Sequence, residues 1–240
     1  MPPAPKHSPQ EQEDMILCAA AKCVQQTSLL DFTMSAIAKE AGVSIGTLYK
    51  HVQSKEDVLV ALGTRMSRRL HDTFAQTLNL DLSTPEKIIA LGLLDPHKTQ
   101  CYDFDSHLDA LVNCEAILRR ASPRWLENMS QSIEACGALF EKLWQSAIDS
   151  GELDIETSNT TIAELSTATW SMHVGYSQVV LRQHNRSAIQ LAEPLPYPLP
   201  ADDLLIKNFT RLLNSYDWQQ KVDDAGVQRA LAAVNAAGLR

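Results

Sequence analysis

Apolar side chains recur at every fourth position along much of this chain, a spacing that favours packed α-helices over β-sheet. The clearest example lies between Ser54 and Leu78, a segment that would form a helix about 36 Å long with one apolar side. That side carries Val58, Leu62, Met66, Leu70, Phe74 and Leu78. No convincing alternation of apolar and polar residues occurs, and glycine and proline cluster between the helical segments. The sequence therefore predicts an all-α protein.

The composition excludes several classes of protein. With 240 residues, 45% of them hydrophobic, the chain is long enough to bury a substantial core in one or two domains. No apolar run approaches the ~18 residues of a membrane span, and the first residues lack the apolar stretch of a secretion signal. The five cysteines are scattered without a C-x-x-C pair, which favours reduced thiols. We therefore expect a cytoplasmic protein with no membrane partner.

Charge is distributed unevenly along the chain. The net charge is −8, but residues 1–75 carry eight basic and eight acidic side chains, so the whole excess lies in residues 76–240. Within residues 33–69, six basic residues stand against three acidic ones. A nucleic-acid partner is therefore compatible with the amino-terminal segment and not with the acidic remainder.

Residues 33–62 have the pattern of two short helices joined by a tight turn. Gly42 supplies the positive φ that a sharp turn needs, and Ser44 is placed to cap the second helix, whose Leu48 points into the core. Outward, this helix presents Ser44, Thr47, Tyr49, Lys50 and His51. These side chains suit a helix whose amino-terminal end enters a DNA major groove while its other end contacts phosphates.

This segment resembles the DNA-binding domain of the tetracycline-repressor (TetR) family of bacterial transcription regulators. The resemblance rests on the turn IA-x-x-AGVS at residues 37–44, the recognition helix GTLY at residues 46–49 and the SKE start of the next helix at residues 54–56. It covers about residues 11–62. The gapless order of these pieces is far more specific than a bare helix-turn-helix pattern.

The resemblance implies DNA contacts for eight side chains. Thr33, Tyr49, His51 and Lys55 would touch phosphates, Ser44, Ile45 and Thr47 would meet base edges, and Lys50 would reach a base or a phosphate. Two departures from the family pattern stand out. Ser28 and Leu29 replace a glycine and an aromatic residue after the first helix, and Val52 replaces a phenylalanine that should pack inward.

The expected organisation has three parts: a disordered arm at residues 1–10, a three-helix helix-turn-helix DNA-binding domain at 11–56, and a helical effector-binding and dimerisation domain at 57–240. In the last part we expect helices at about 106–119, 122–150, 158–184 and 202–218, with a stiff proline-rich connector at 194–200.

The helix predicted at residues 158–184 is apolar on two sides. One side, with Ile162, Leu165, Thr169, Met172, Tyr176 and Val180, would pack within one subunit. A second subunit would cover the other side together with the helix at 202–218, which predicts a homodimer; the alternative is the central helix of a monomer. The candidate interface residues are Ala163, Thr167, Trp170, Val174, Leu181, Leu205, Phe209, Leu212, Leu213 and Tyr216.

The resemblance also implies an effector pocket in the helical body. Glu115 falls on an apolar stripe of the helix predicted at 106–119, where an unpaired carboxylate is costly. It would either anchor a cationic effector or form a structural ion pair with Arg119 or Arg124. The other candidates are Trp125, Met129, Trp144, Trp170, His173 and Tyr176, although each of them, taken singly, fits a place in the core better.

No pattern indicates catalysis, a cofactor or a metal. The sequence lacks G-x-S-x-G, a glycine-rich phosphate loop and H-E-x-x-H, and the run from His97 to His107 lacks a zinc spacing. We therefore expect a non-enzymatic, ligand-responsive transcription regulator. It would be a repressor that binds a double-stranded, (pseudo)palindromic operator as a homodimer and is released by a small-molecule effector. The alternative is an all-α ligand-binding protein or enzyme with a vestigial helix-turn-helix.

Overall fold

The computed structural model describes residues 7–190 and 197–240, and this part of the chain is almost entirely helical, which confirms the predicted all-α class. It forms two compact units. The first contains the residues up to Arg69 together with Gln100–Glu134, and the second contains Leu70–Thr99 and Ala135–Arg240. The units do not follow the predicted division at residue 56, because the helix that begins at Lys55 runs on to Leu78.

The described residues form twelve helices. In chain order they are α1 (Pro9–Gln26), α2 (Met34–Glu40), α3 (Ile45–His51), α4 (Lys55–Leu78), α5 (Thr84–Gly92), α6 (Pro96–Thr99), α7 (Asp105–Val112), α8 (Glu115–Leu118), α9 (Pro123–Asp149), α10 (Ile162–Gln190), α11 (Leu204–Leu213) and α12 (Asp224–Ala236). Two short strands, β1 (Leu153–Asp154) and β2 (Asp217–Trp218), pair antiparallel with Leu153 opposite Trp218. Within the described ranges, no helix combines the length and the apolar character needed to cross a bilayer.

The core of the first unit is formed by the apolar faces of α1 to α4 together with residues of α7 and α9. Val52 is fully buried, as expected of the side chain that replaces a phenylalanine, and Leu29 packs against the same core. Ser28 organises the turn after α1, because its hydroxyl accepts the backbone N–H groups of Leu30 and Asp31 at 3.1 and 3.0 Å. The two departures from the family pattern are thus accommodated locally.

Two predicted helices are interrupted because asparagine side chains bind the backbone. The helix expected at 106–119 splits after Val112, where the Asn113 amide donates to the carbonyl of Asp109 at 2.9 Å. The helix expected at 202–218 ends at Leu213. Asn214 there makes two hydrogen bonds, of 2.8 and 3.0 Å, with the backbone of Val222, and this reversal brings β2 beside β1.

The prediction that residues 1–10 form a disordered arm is wrong for the last residues of that segment. Pro9 and Gln10 belong to α1, which Ser8 and Glu11 start with a reciprocal capping box. Residues 1–6 of the predicted arm lie outside the described residues, as do residues 194–196 of the predicted connector. Of the connector residues that are described, Leu199 is buried in the core of the second unit.

The carboxyl-terminal helix α12 packs on α5 in the second unit. Their contact centres on the buried carboxylate of Glu86, which accepts the backbone N–H of Ser83 at 3.0 Å and the guanidinium of Arg229 at 2.5 Å. Gly226 stands directly beside it, since a β-carbon at this position would lie 2.9 Å from Oε1 of Glu86. These contacts define how α12 docks on α5.

We expect Gly226→Ala to lower the free energy of unfolding by about 1–3 kcal/mol, because the added methyl group meets a carboxylate that Ser83 and Arg229 hold in place. Urea unfolding of the full chain measures the change. Gly137→Ala is the matched control, since it adds the same methyl group in helix α9 with no atom within 4 Å. Equal stabilities of the two variants would contradict the close contact.

Candidate nucleic-acid interface

Two helix caps and one glycine define the local structure of α2, α3 and the turn between them. The hydroxyl of Thr33 accepts the N–H of Ala36 at 3.1 Å and so caps α2, and that of Ser44 accepts the N–H of Thr47 at 3.0 Å and caps α3. Between them Gly42 has a φ of +67°, a conformation that side chains with a β-carbon rarely adopt. The two helices therefore meet at a tight turn, as the sequence predicts.

Helix α3 has a buried side and an exposed side. Leu48 has no exposed surface, whereas Ile45 is 46% and Tyr49 is 47% exposed. Lys50 is exposed as well, and it makes no ion pair among the residues that the structure describes. Thr47 is half-buried, with its hydroxyl 2.9 Å from that of Ser44. The exposed side thus offers hydroxyl groups near the start of the helix and an aromatic and a cationic group near its end.

His51 does not lie on this exposed side, and its predicted outward placement is wrong. Its side chain is only 10% exposed, with Nδ1 3.6 Å from Oε2 of Glu13 in α1. The reason is helical geometry, since His51 follows Leu48 by three residues and so shares the side of α3 that faces the core. A phosphate contact from this imidazole would require it to leave Glu13.

Lys55 is held within the first unit. Its ammonium donates to the carbonyl of Leu30 at 3.1 Å and lies 5.0 Å above the ring centroid of Phe32. An ammonium has three N–H donors, so these contacts leave donors for a phosphate. Thr33 is exposed at the start of α2, with its hydroxyl engaged as the cap.

Glu115 does not lie on a buried stripe. Because α7 ends at Val112, Glu115 starts α8 instead, where it is 75% exposed and pairs with Arg119 at 2.6 Å. The structure thus contains the ion-pair alternative, and the burial expected for an effector anchor is absent. Two more pocket candidates, Trp125 and Met129, are buried in the core of the first unit.

The remaining pocket candidates belong to the second unit and differ in exposure. Trp144 is completely buried, and its indole N–H has no hydrogen-bond partner among the described residues. Tyr176 is half-buried and donates to Asp203 at 2.7 Å; burial and this carboxylate raise the pKa of its phenol. His173 is half-buried, and burial lowers the pKa of its imidazole. Trp170 is 52% exposed, so its side chain does not line an enclosed pocket.

The second unit also has a cleft of about 680 Å³ beside α11 and the first turn of α12. Buried Ile206 and Val227 line it together with the charged side chains of Lys207, Arg211 and Asp224. No sequence pattern indicated this cleft, because it depends on how the two helices approach each other.

The predicted dimer residues differ in how far they are buried. Leu205, Phe209 and Leu213 are buried in the core of the second unit, so their assignment to an intersubunit surface is wrong. Leu212, Tyr216 and Val174 are half-buried, Ala163, Thr167 and Trp170 are exposed on α10, and the side chain of Leu181 lies outside the described part of the structure. The apolar side of α11 was identified correctly, but its own chain covers it.

Residues 16–62 match the family described as bacterial regulatory proteins, tetR family. The chain carries a tetR-family domain. The matched residues include α2, α3 and the turn between them, so the tetR-family domain coincides with the geometry described above. This confirms the predicted family and identifies a DNA-binding transcriptional regulator. The alternative, a ligand-binding protein or enzyme with a vestigial helix-turn-helix, is not favoured.

Several solved structures share the fold of most of this chain, both within the tetR-family domain and beyond it. FadR from Bacillus subtilis, in complex with stearoyl-CoA, is 15% identical with a TM-score of 0.52, covering 92% of this chain and 98% of its own. NemR from E. coli, in its reduced form, is 14% identical with a TM-score of 0.54 and coverages of 87% and 99%. GusR from Salmonella enterica is 20% identical with a TM-score of 0.52 and coverages of 87% and 98%. At these identities the likeness shows the fold. No curated protein sequence matches the chain significantly.

Proposed function

We propose that this regulator is a homodimeric repressor that binds a (pseudo)palindromic operator and leaves it when a small molecule binds the second unit. The observation that supports the operator contact is the exposed side of α3. Ile45, Tyr49 and Lys50 are exposed to solvent there, while buried Leu48 packs the helix against the core. In this proposal Ser44, Ile45 and Thr47 meet base edges, Thr33, Tyr49 and Lys55 approach phosphates, and Lys50 reaches a base or a phosphate. The chain acts by binding alone, in the cytoplasm.

The exposed surface of α10 supports a homodimer. Trp170 is 52% exposed, and Ala163 and Thr167, also exposed, fall on the same side of the helix at 100° per residue. A large aromatic side chain on such a surface favours a protein partner. A second copy placed across a twofold axis would cover it, and it would also present two α3 helices to half-sites about 34 Å apart.

The interior of the second unit supports an effector site. Buried indole N–H groups almost always have a hydrogen-bond partner, and the described part of the chain offers none to the N–H of Trp144. An acceptor atom on a ligand would satisfy it. FadR from Bacillus subtilis has this fold and was crystallised with stearoyl-CoA, so the fold can hold a ligand with a long acyl chain. A thermal-shift screen with and without operator DNA would find a molecule that stabilises the free protein and weakens the complex.

Selection of bound sequences from random duplex DNA tests the operator contact. With the full-length protein we expect enrichment of an inverted repeat whose half-site centres lie about 10 base pairs apart or a multiple of that spacing, with two chains bound per duplex. Failure to enrich any sequence, at low as well as at moderate salt, would overturn the proposal. One chain per duplex would retain DNA binding and refute the dimer.

Thr47→Ala tests direct readout of bases. The hydroxyl of Thr47 would be lost, while Ser44 would still cap the Thr47 backbone N–H. We expect the ratio of operator affinity to random-DNA affinity to fall about 5- to 100-fold, the range for losing a base contact of about 1–3 kcal/mol. Gel-shift titrations on both duplexes at one salt concentration give the ratio. Equal losses on both duplexes would exclude a base contact.

A further inference from the structure

The first turn of α9 is hydrogen-bonded to the end of α3 within the first unit. Trp125 is 3% exposed, and its indole N–H donates to the backbone carbonyl of His51 at 3.0 Å. His51 is the last residue of α3, whose final carbonyl groups have no partner within the helix. The bond thus fixes the carboxyl-terminal end of the helix that bears Thr47, Tyr49 and Lys50.

A second connection holds the turn that follows α3. The carboxylate of Asp57, 1% exposed, accepts the backbone N–H of Gln53 at 2.8 Å and that of Ser122 at 2.6 Å. Its own backbone N–H donates to the hydroxyl of Ser54 at 3.0 Å, so Ser54 caps α4. One side chain therefore joins the α3–α4 turn to the residue that precedes α9.

A third connection reaches α1. Glu13 is buried, pairs with the guanidinium of Arg124 and faces the imidazole of His51. Arg124 also lies 5.0 Å above the ring of Trp125. All three connections come from residues 122–125, which lie 60 residues beyond the end of the matched tetR-family domain at residue 62.

We propose that Trp125 and Asp57 are positioning residues for DNA recognition, and that the start of α9 is part of the DNA-reading unit. This inference rests on the proposed function, because it concerns how α3 is presented to the operator. Helix α3 has only seven residues, about 10 Å of helix, so a small rotation at His51 displaces every side chain that faces the bases. Phosphate attraction tolerates such a displacement, whereas base contacts require a fixed geometry.

Trp125→Phe in the full-length protein is the principal test. Phenylalanine keeps an aromatic ring in the core and removes the donor to His51. We expect operator affinity to fall about 3- to 10-fold, corresponding to the loss of one hydrogen bond, with random-DNA affinity and its salt dependence unchanged. Asp57→Asn, which keeps the shape but loses one acceptor, should lower the same ratio. All titrations are made at a temperature where circular dichroism shows each variant fully folded.

Trp218→Phe is a closely matched control from the second unit. Trp218 is 5% exposed, and its indole N–H donates to the carbonyl of Leu213, the last residue of α11, at 2.7 Å. The same substitution there removes the same kind of bond at a helix end. We expect it to lower thermal stability as Trp125→Phe does, but to keep the parental ratio of operator to random-DNA affinity.

The outcomes separate the two proposals. If the parent protein enriches no sequence, the proposed function fails and this inference fails with it. If the parent binds an operator and Trp125→Phe or Asp57→Asn, whichever folds, keeps the parental ratio, the positioning role alone is overturned. Equal falls in the ratio for Trp125→Phe and Trp218→Phe would likewise overturn it, because general destabilisation would then explain both.

Discussion

Leu48→Ala is expected to lower the free energy of unfolding by about 2–5 kcal/mol, because it removes a fully buried side chain and leaves a cavity beneath the recognition helix. The core around it is shared by α1, α2 and α4, so little of the space can close. Urea unfolding followed by circular dichroism measures the loss. Operator affinity should fall at the same time, since α3 loses the anchor that holds it against the core.

Ile45→Ala is the control for this prediction. Ile45 lies on the same helix and is 46% exposed, so its truncation should change the free energy of unfolding by no more than about 0.5 kcal/mol. Similar destabilisation by the two substitutions would show that α3 does not have the buried and exposed sides described above.

Tyr49→Ala is expected to weaken binding to every DNA sequence by about 10- to 100-fold while leaving stability nearly unchanged. The side chain is 47% exposed, and a hydroxyl bonded to a charged phosphate contributes about 1.5–3 kcal/mol, which corresponds to about 10- to 100-fold in affinity. Gel-shift titrations on operator and random DNA should therefore show parallel losses. This result would differ from that of Thr47→Ala, which should act on the operator alone.

Two further variants make this prediction specific. Tyr49→Phe keeps the ring and should reproduce most of the loss if the hydroxyl binds phosphate. Ile133→Ala truncates another half-exposed side chain of the first unit, on α9 and outside the helix-turn-helix, and should bind DNA like the parent. Unchanged binding by Tyr49→Ala would remove this residue from the interface.

The DNA-reading domain was largely predictable because its signals are local. Capping residues and a glycine with positive φ act within four positions of the chain, and Gly42 and Ser44 have the predicted roles. The placement of Leu48 and Tyr49 follows from the helical repeat. The same repeat places His51 beside Leu48, so the helical period itself indicates an inward orientation, and the predicted outward placement of this side chain conflicts with it.

The body of the protein was less predictable, because an apolar pattern does not say what covers it. Leu205 and Phe209 lie on a clear apolar side of α11, but the second unit buries them itself rather than leaving them to another subunit. Glu115 appeared costly only on the assumption of an unbroken helix. The side chain of Asn113, which binds the backbone of Asp109, invalidates that assumption.

The sequence by itself determined the helical class, the turn at Gly42 and the two sides of α3, since each depends on residues within one or two helical turns of one another. Only the tertiary structure decided which side chains hold the recognition helix in place and which contacts join α12 to α5 in the second unit. The indole of Trp125 meets a carbonyl 74 positions away, and Arg229 meets Glu86 across 143 positions. Such contacts arise when separate helices pack, and no short-range pattern of residues specifies which helices those will be.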